Sequence, residues 1–188
     1  FELDNKQYSV PLIGAHQAIN AGLAIRAVMN YCPEMKQPDI QSGLNKTKWF
    51  GRFQPLTKKL PIYYDVAHNS GGIRTIRDNL NTLNANVTNG IMVLKEDKNV
   101  DQIAIELDGL FNKLFVASLP ETELMDKQLL FNALKAQKLS CDIMGSLEKG
   151  CSYLYDRALK GENGIIFGSH YVAKSIFNYF EINFDNGC

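Results

Sequence analysis

From about residue 60 onward, short apolar runs alternate with amphipathic stretches of helical period. The runs at 61–66, 90–95, 113–118, 140–144 and 164–168 are rich in Ile, Val, Tyr and Phe and mostly lack polar alternation. A strand covered on both faces reads this way, and parallel sheets are covered on both faces. Between the runs the period changes. Ile103, Leu107, Leu110 and Phe111 share one helical stripe, Leu147, Cys151, Leu154 and Ala158 a second, and Val172, Ile176 and Phe180 a third. Helices between buried strands permit right-handed crossovers, so the pattern predicts an α/β fold. It is Rossmann-like, with a mostly parallel sheet and helices on both faces. Residues 51–56 are expected as one further strand, antiparallel at an edge.

The first 45 residues differ. Residues 15–31 read as a helix rich in small side chains (Ala15, Ala18, Ala21, Gly22, Ala24, Ala27), suited to close packing against another backbone and stopped by Cys32-Pro33. Residues 33–48 are polar, contain Pro38 and Gly43, and read as a linker. A boundary is placed at residue 46, with 1–46 assigned to a neighbouring domain and linker and 47–188 to the α/β domain. The absence of an initiator Met adds the expectation that the chain is a piece of something longer.

Composition narrows the function classes. Apolar residues make up 45% and charged residues 21%, which supports a packed core and excludes global disorder. Twenty Lys and Arg balance twenty Asp and Glu, which argues against a general binder of nucleic acid or anionic membrane. No run approaches the length of a membrane span. The four cysteines show no Cys-x-x-Cys pairing and no metal spacing to His, as expected of a reduced, cytoplasmic chain. Of the two glycosylation sequons, at Asn45 and Asn86, nothing is expected without a secretory signal.

Four segments carry chemistry. In Tyr64-Asp65-Val66-Ala67-His68-Asn69-Ser70-Gly71-Gly72 an apolar strand ends in a carboxylate, followed by an imidazole, an amide, a hydroxyl and a helix start near Ile73. Ligands of open parallel sheets bind beyond the strand C-termini, and a helix start offers free N–H groups to an anion. The plainer reading is that Asn69 or Ser70 caps the helix and Asp65 bonds a loop. In Trp49-Phe50-Gly51-Arg52-Phe53, Gly allows close backbone approach and Arg can fork onto phosphate; alternatively Arg52 is a surface residue after a turn. His16 and Asn20 lie one helical turn apart near the start of the 15–31 helix, either facing a ligand or serving that helix. Gly168-Ser169 again joins a strand to a helix, on the same rim as His68, or simply caps it. The glycine spacing of 145–150 imitates a phosphate loop, but Cys151 stands in place of its Lys and the segment is helical in pattern, so it is set aside. Neither a Gly-x-Gly-x-x-Gly after a strand nor a Gly-x-Ser-x-Gly elbow occurs.

In this order the segments resemble the folylpolyglutamate synthase/dihydrofolate synthase family, within the Mur ligase superfamily. The residues that carry the resemblance are Leu12-Ile13-Gly14-Ala15-His16-Gln17 with Asn20-Ala21, Trp49-Phe50-Gly51-Arg52, Asp65-Val66-Ala67-His68-Asn69 and Gly168-Ser169, with Asp97-Lys98-Asn99 similar to a family Asp-Lys-Asp loop. Phe50 and Ser70 stand where the family has Pro, and its Arg motif after Pro120 is not evident. The resemblance implies that 47–188 is the C-terminal domain and 1–46 the tail of a central ATPase domain, whose phosphate loop and Mg²⁺ ligands lie upstream. It implies ATP-dependent amide formation: ATP phosphorylates a carboxylate of dihydropteroate or folate, and the amine of glutamate displaces phosphate. It further implies that Asn20 touches adenine, Arg52 the phosphates and Asp65 the ribose, that His68, Asn69 and Ser169 seat glutamate, and that Arg52 and His68 act in catalysis. Such a chain is inactive without the ATPase domain of the same polypeptide. Two other readings stand beside it: a stand-alone interaction or regulatory module, and a small hydrolase using Ser169, His68 and Asp65.

Overall fold

A computed structural model describes residues 1–83, 87–120 and 123–183; Asn86 and Cys188 lie outside them. The chain runs β1 (Glu2–Leu3), β2 (Lys6–Gln7), α1 (Ala15–Tyr31), α2 (Gln37–Asn45), β3 (Gln54–Pro55), β4 (Ile62–Asp65), α3 (Ser70–Thr82), β5 (Thr88–Met92), α4 (Val100–Leu107), β6 (Lys113–Val116), α5 (Lys127–Ala136), β7 (Asp142–Ile143), α6 (Leu147–Ala158), β8 (Asn163–Phe167), a 3₁₀ turn (His170–Val172) and α7 (Ala173–Tyr179).

The main sheet has the order β3-β4-β8-β5-β6-β7. All its neighbours pair in parallel except β3, which runs antiparallel to β4 at the edge. The mostly parallel α/β expectation therefore holds. The expected edge strand is present but contributes only Gln54 and Pro55 to the ladder, because positive φ at Gly51 (70°) and Phe53 (44°) bends the backbone into a turn just before it. Pro55 is tolerated there because an edge strand leaves one side unpaired.

Two apolar layers sandwich the sheet. Ile73, Ile76 and Leu80 of α3, Ile103 and Leu107 of α4, and Leu130 and Leu134 of α5 pack on one face with Met92, Val116, Ile165 and Phe167. Leu147, Cys151 and Leu154 of α6 and Ile176 and Phe177 of α7 pack on the other with Ile62, Tyr64, Ile91 and Ile166. The outward crossovers from β4 to β7 thus lie on one face and the return to β8 on the other, the arrangement right-handed crossovers impose. The helix α5 has no counterpart in the sequence reading; Asp126 caps it by accepting from Gln128 N and Leu129 N, and its short Leu130/Leu134 stripe buries it. The phosphate-loop imitation is a helix start: Ser146 caps α6, and Gly150 lies so close to Ile91 that a Cβ would stand 2.6 Å from its Cδ1.

The polar segment 33–48 is not extended throughout. Residues 37–45 form α2, because Pro38 sits in the first turn, where a missing N–H is harmless, and Ile40 and Leu44 fall one turn apart. They pack with Tyr8, Ile25 and Met29 in a small third cluster of their own. α1 extends as expected, yet it buries only the narrow line Gln17, Ala21 and Ile25 and leaves Ile19 and Leu23 largely exposed. No helix among the described residues is long and apolar enough to cross a membrane.

One backbone position is rigidly specified. Gly168 follows β8 with φ 111°, and a Cβ there would lie 1.9 Å from the carbonyl oxygen of Val93. Gly168→Ala is expected to destabilise the fold by about 2–4 kcal/mol, through backbone strain plus overpacking. Urea unfolding checks this, and a loss below about 1 kcal/mol would contradict it.

Candidate functional site

Beyond the C-terminal end of β4 lies a cleft of about 350 Å³, lined by His16, Gln17 and Asn20 of α1, Trp49 and Arg52 of the turn before β3, Asp65 at the end of β4 with Val66 to Asn69 after it, and Gly72 and Thr75 of α3. Three stretches distant in sequence meet there. The Asp65 carboxylate joins two of them. It is 6% exposed, its Oδ2 accepts from Phe53 N at 2.8 Å, and its Oδ1 accepts from Ala67 N at 2.7 Å. Val66 N donates to Gly51 O at 2.9 Å, and Gly51 N donates to Gln54 Oε1 at 2.9 Å. The turn carrying Arg52 is therefore suspended from the end of β4, and positive φ at Gly51 and Phe53 lets it curl tightly enough to do so. A Cβ on Gly51 would stand 2.6 Å from Val66 Cγ1, so the close approach needs the glycine.

Burial pushes the Asp65 carboxyl above its usual range; the two backbone donors, then Arg52 and His68, pull it back. Burial, then the Arg52 charge, hold His16 below its usual value, against an opposing pull from Asp78. The cleft thus presents one guanidinium, a neutral imidazole favoured at His16, and several amides, a set suited to an anionic group carrying further hydrogen-bond acceptors.

The structure brings five of the six residues singled out from the sequence, Asn20, Arg52, Asp65, His68 and Asn69, into this one cleft. Ser169 is not among its lining residues. It is 5% exposed at the end of neighbouring β8, where its Oγ accepts from Tyr171 N and its carbonyl accepts from the Tyr64 hydroxyl. The plainer roles are also realised: Asn69 Oδ1 caps α3 by accepting from Gly72 N, and Asp65 bonds a loop. Asn20 is exposed and donates to Gln17 Oε1 at 3.3 Å. The loop resembling Asp-Lys-Asp is occupied locally, with Lys98 paired to Asp97 and Asn99 capping α4. Thr75 of the cleft had no sequence signal beyond its place one turn after Gly71 and Gly72. Of the two readings of His16, the structure places it on the cleft, and no side chain caps the start of α1; Trp49 stood within its motif without an assigned task.

The hydrolase reading does not survive the geometry. The Asp65 oxygens face Phe53 and Ala67, His68 Nδ1 pairs with Val66 O at 2.8 Å, and Ser169 Oγ serves Tyr171 N. Among the described residues no two members of that triad hydrogen-bond to each other. Nor, among them, do three His, Cys, Asp or Glu side chains gather closely enough to hold a metal ion.

The class these features define is a Rossmann-like α/β domain with a polar cleft at its strand C-termini. No family model matches the chain. Among curated proteins it is similar to the folylpolyglutamate synthase of Lacticaseibacillus casei, 25% identical over 171 residues, covering 89% of this chain and 39% of that protein. Among solved structures it superposes on Mycobacterium tuberculosis folylpolyglutamate synthase complexed with ADP and AMPPCP, with a TM-score of 0.81 at 23% identity over 92% of this chain and 42% of that one. It also superposes on a bifunctional folylpolyglutamate synthase/dihydrofolate synthase with Mn, AMPPNP and L-glutamate bound, with a TM-score of 0.78 at 18% identity over 96% and 43%. The structural likenesses speak to the fold. The similarity extends over nearly the whole chain, which spans about two-fifths of the length of these synthases and matches their C-terminal part.

A direct check on the cleft is the titration of His16. By NMR its midpoint is expected below 6.5. In Arg52→Ala the midpoint is expected to rise, because a repelling cation is removed while Asp78 remains. An unchanged midpoint would mean that Arg52 does not face the cleft.

Proposed function

We propose that this chain is the C-terminal part of an ATP-dependent ligase that joins glutamate to dihydropteroate or a folate through an acyl phosphate. The observation that carries the reading is the convergence of Arg52, Asp65, Asn20 and His68 on one cleft from three separate stretches, each of them a segment on which the family resemblance was read. Residues 47–188 form the α/β domain of such an enzyme and 1–46 the end of its ATPase domain. The rest of that domain supplies the phosphate loop.

The donor set fits part of a nucleotide. Arg52 offers a planar fork to phosphate oxygens. Asp65 keeps a lone pair on each oxygen beyond its two backbone bonds, for a ribose hydroxyl. Asn20 offers an amide for a purine edge. His68 and Asn69, on the loop after β4, hold the incoming glutamate, with Ser169 at the adjacent strand end, where its carbonyl accepts from the Tyr64 hydroxyl. When bound, ATP supplies the phosphoryl group that activates the acceptor carboxylate. The residues of this chain hold the nucleotide, orient the amine toward the acyl carbon and neutralise charge on the departing phosphate. The donor set here does not suit a metal ion, so no step is assigned to Mg²⁺ from these residues. In this reading the protein works in the cytoplasm.

The test is phosphate release dependent on ATP and glutamate, assayed on the full polypeptide containing this chain, with dihydropteroate and reduced folates compared as acceptors. Arg52→Ala is expected to lower kcat/KM by about 10²-fold or more, the scale for removing a donor aimed at developing charge. A change within a few-fold would contradict the role, and no acceptor-dependent release would contradict the reaction.

A further inference from the structure

Trp49 is the chain's single tryptophan, and it is 61% exposed. It walls three cavities at once: the polar cleft, a 390 Å³ groove of mostly apolar residues against α1, and a 240 Å³ recess toward β3. So large an apolar surface left in water contributes little to the core. Its ring has a specific neighbour instead: the Arg52 guanidinium carbon stands 5.5 Å from the ring centroid. The Arg52 backbone is held by the bonds at Gly51 and Phe53, but its guanidinium makes no hydrogen bond or ion pair among the described residues. The indole is what orders the end of that side chain.

We infer that Trp49 is a positioning residue that holds the Arg52 guanidinium over the mouth of the cleft, poised for an anionic oxygen. The inference rests on the reading that Arg52 meets phosphate. A guanidinium resting on an aromatic face is weakly hydrated and keeps its in-plane N–H groups free, so it offers its fork without first shedding water or leaving an ion pair. A side chain already ordered also gives up less freedom on binding. Removing the ring returns Arg52 to solvent and weakens anion binding by about 2- to 5-fold, the scale of an exposed cation–π contact; another aromatic ring preserves most of the effect.

The experiment uses the 188-residue chain, titrated with inorganic tripolyphosphate and followed by NMR. Arg52 side-chain protons in the wild type are expected upfield, shielded by the indole. Trp49→Leu is expected to abolish that shift, raise the His16 midpoint and weaken tripolyphosphate 2- to 5-fold. Trp49→Phe is expected to retain all three properties in large part, and Arg52→Ala to lose more affinity than Trp49→Leu. If Trp49→Leu leaves both the Arg52 shifts and the affinity at wild-type values while Arg52→Ala loses affinity, the positioning role is wrong and the phosphate reading stands. If Arg52→Ala binds tripolyphosphate as well as the wild type, the phosphate reading falls and takes the inference with it.

Discussion

The buried carboxylate of Asp65 is the constraint on which the site depends. A carboxylate taken out of water must be satisfied by donors, and here two backbone N–H groups do so, one from each side of the cleft. Phe53 N belongs to the turn that carries Arg52, and Ala67 N to the loop that carries His68 and Asn69. One side chain therefore sets the spacing between the cation and the groups opposite it. Burial raises the Asp65 carboxyl above its usual range, and the two backbone donors partly offset that rise. A neutral isostere would present an amide N–H to one of those donors and break the junction.

The sheet supplies the rest of the geometry. β4 ends one strand from β8, whose Gly168 turn approaches the Val93 carbonyl too closely for any side chain. Both layers of helices pin these strands, so the rim is rigid where the loops leave it. α1 closes the third side of the cleft while burying little of its own surface. Its Ile19 and Leu23 are largely exposed.

Much of this was legible in the residues, for reasons that differ by element. The buried strands announced themselves because nothing polar alternates in them, and α1 because Cys32-Pro33 ends it. The helix α2 was hidden by the polar surface of a nine-residue segment whose buried contacts are few and distant in sequence. α5 was hidden because two leucines make too short a stripe to read. At the site, motif order found Asn20, Arg52, Asp65, His68 and Asn69, but motif letters do not distinguish a side chain that reaches a cleft from one spent on its own backbone. Ser169 shows the difference: its hydroxyl serves the next turn, and its burial follows from the Tyr64 hydroxyl bonding its carbonyl. Trp49 drew no role from sequence because its contact with Arg52 follows from the positive φ at Gly51, a backbone fact.

Native-state hydrogen exchange at two amides tests the account most directly. The Phe53 and Ala67 N–H groups lie at loop positions, outside the strand ladders, and only the Asp65 carboxylate explains why they should be protected. In the wild type both are expected to exchange slowly. In Asp65→Asn their protection should fall by about tenfold or more, the scale of losing a buried acceptor, while core amides such as Ile166 keep theirs. Rapid exchange of both amides in the wild type, or protection that survives Asp65→Asn, would contradict the claim that this carboxylate holds the cleft together.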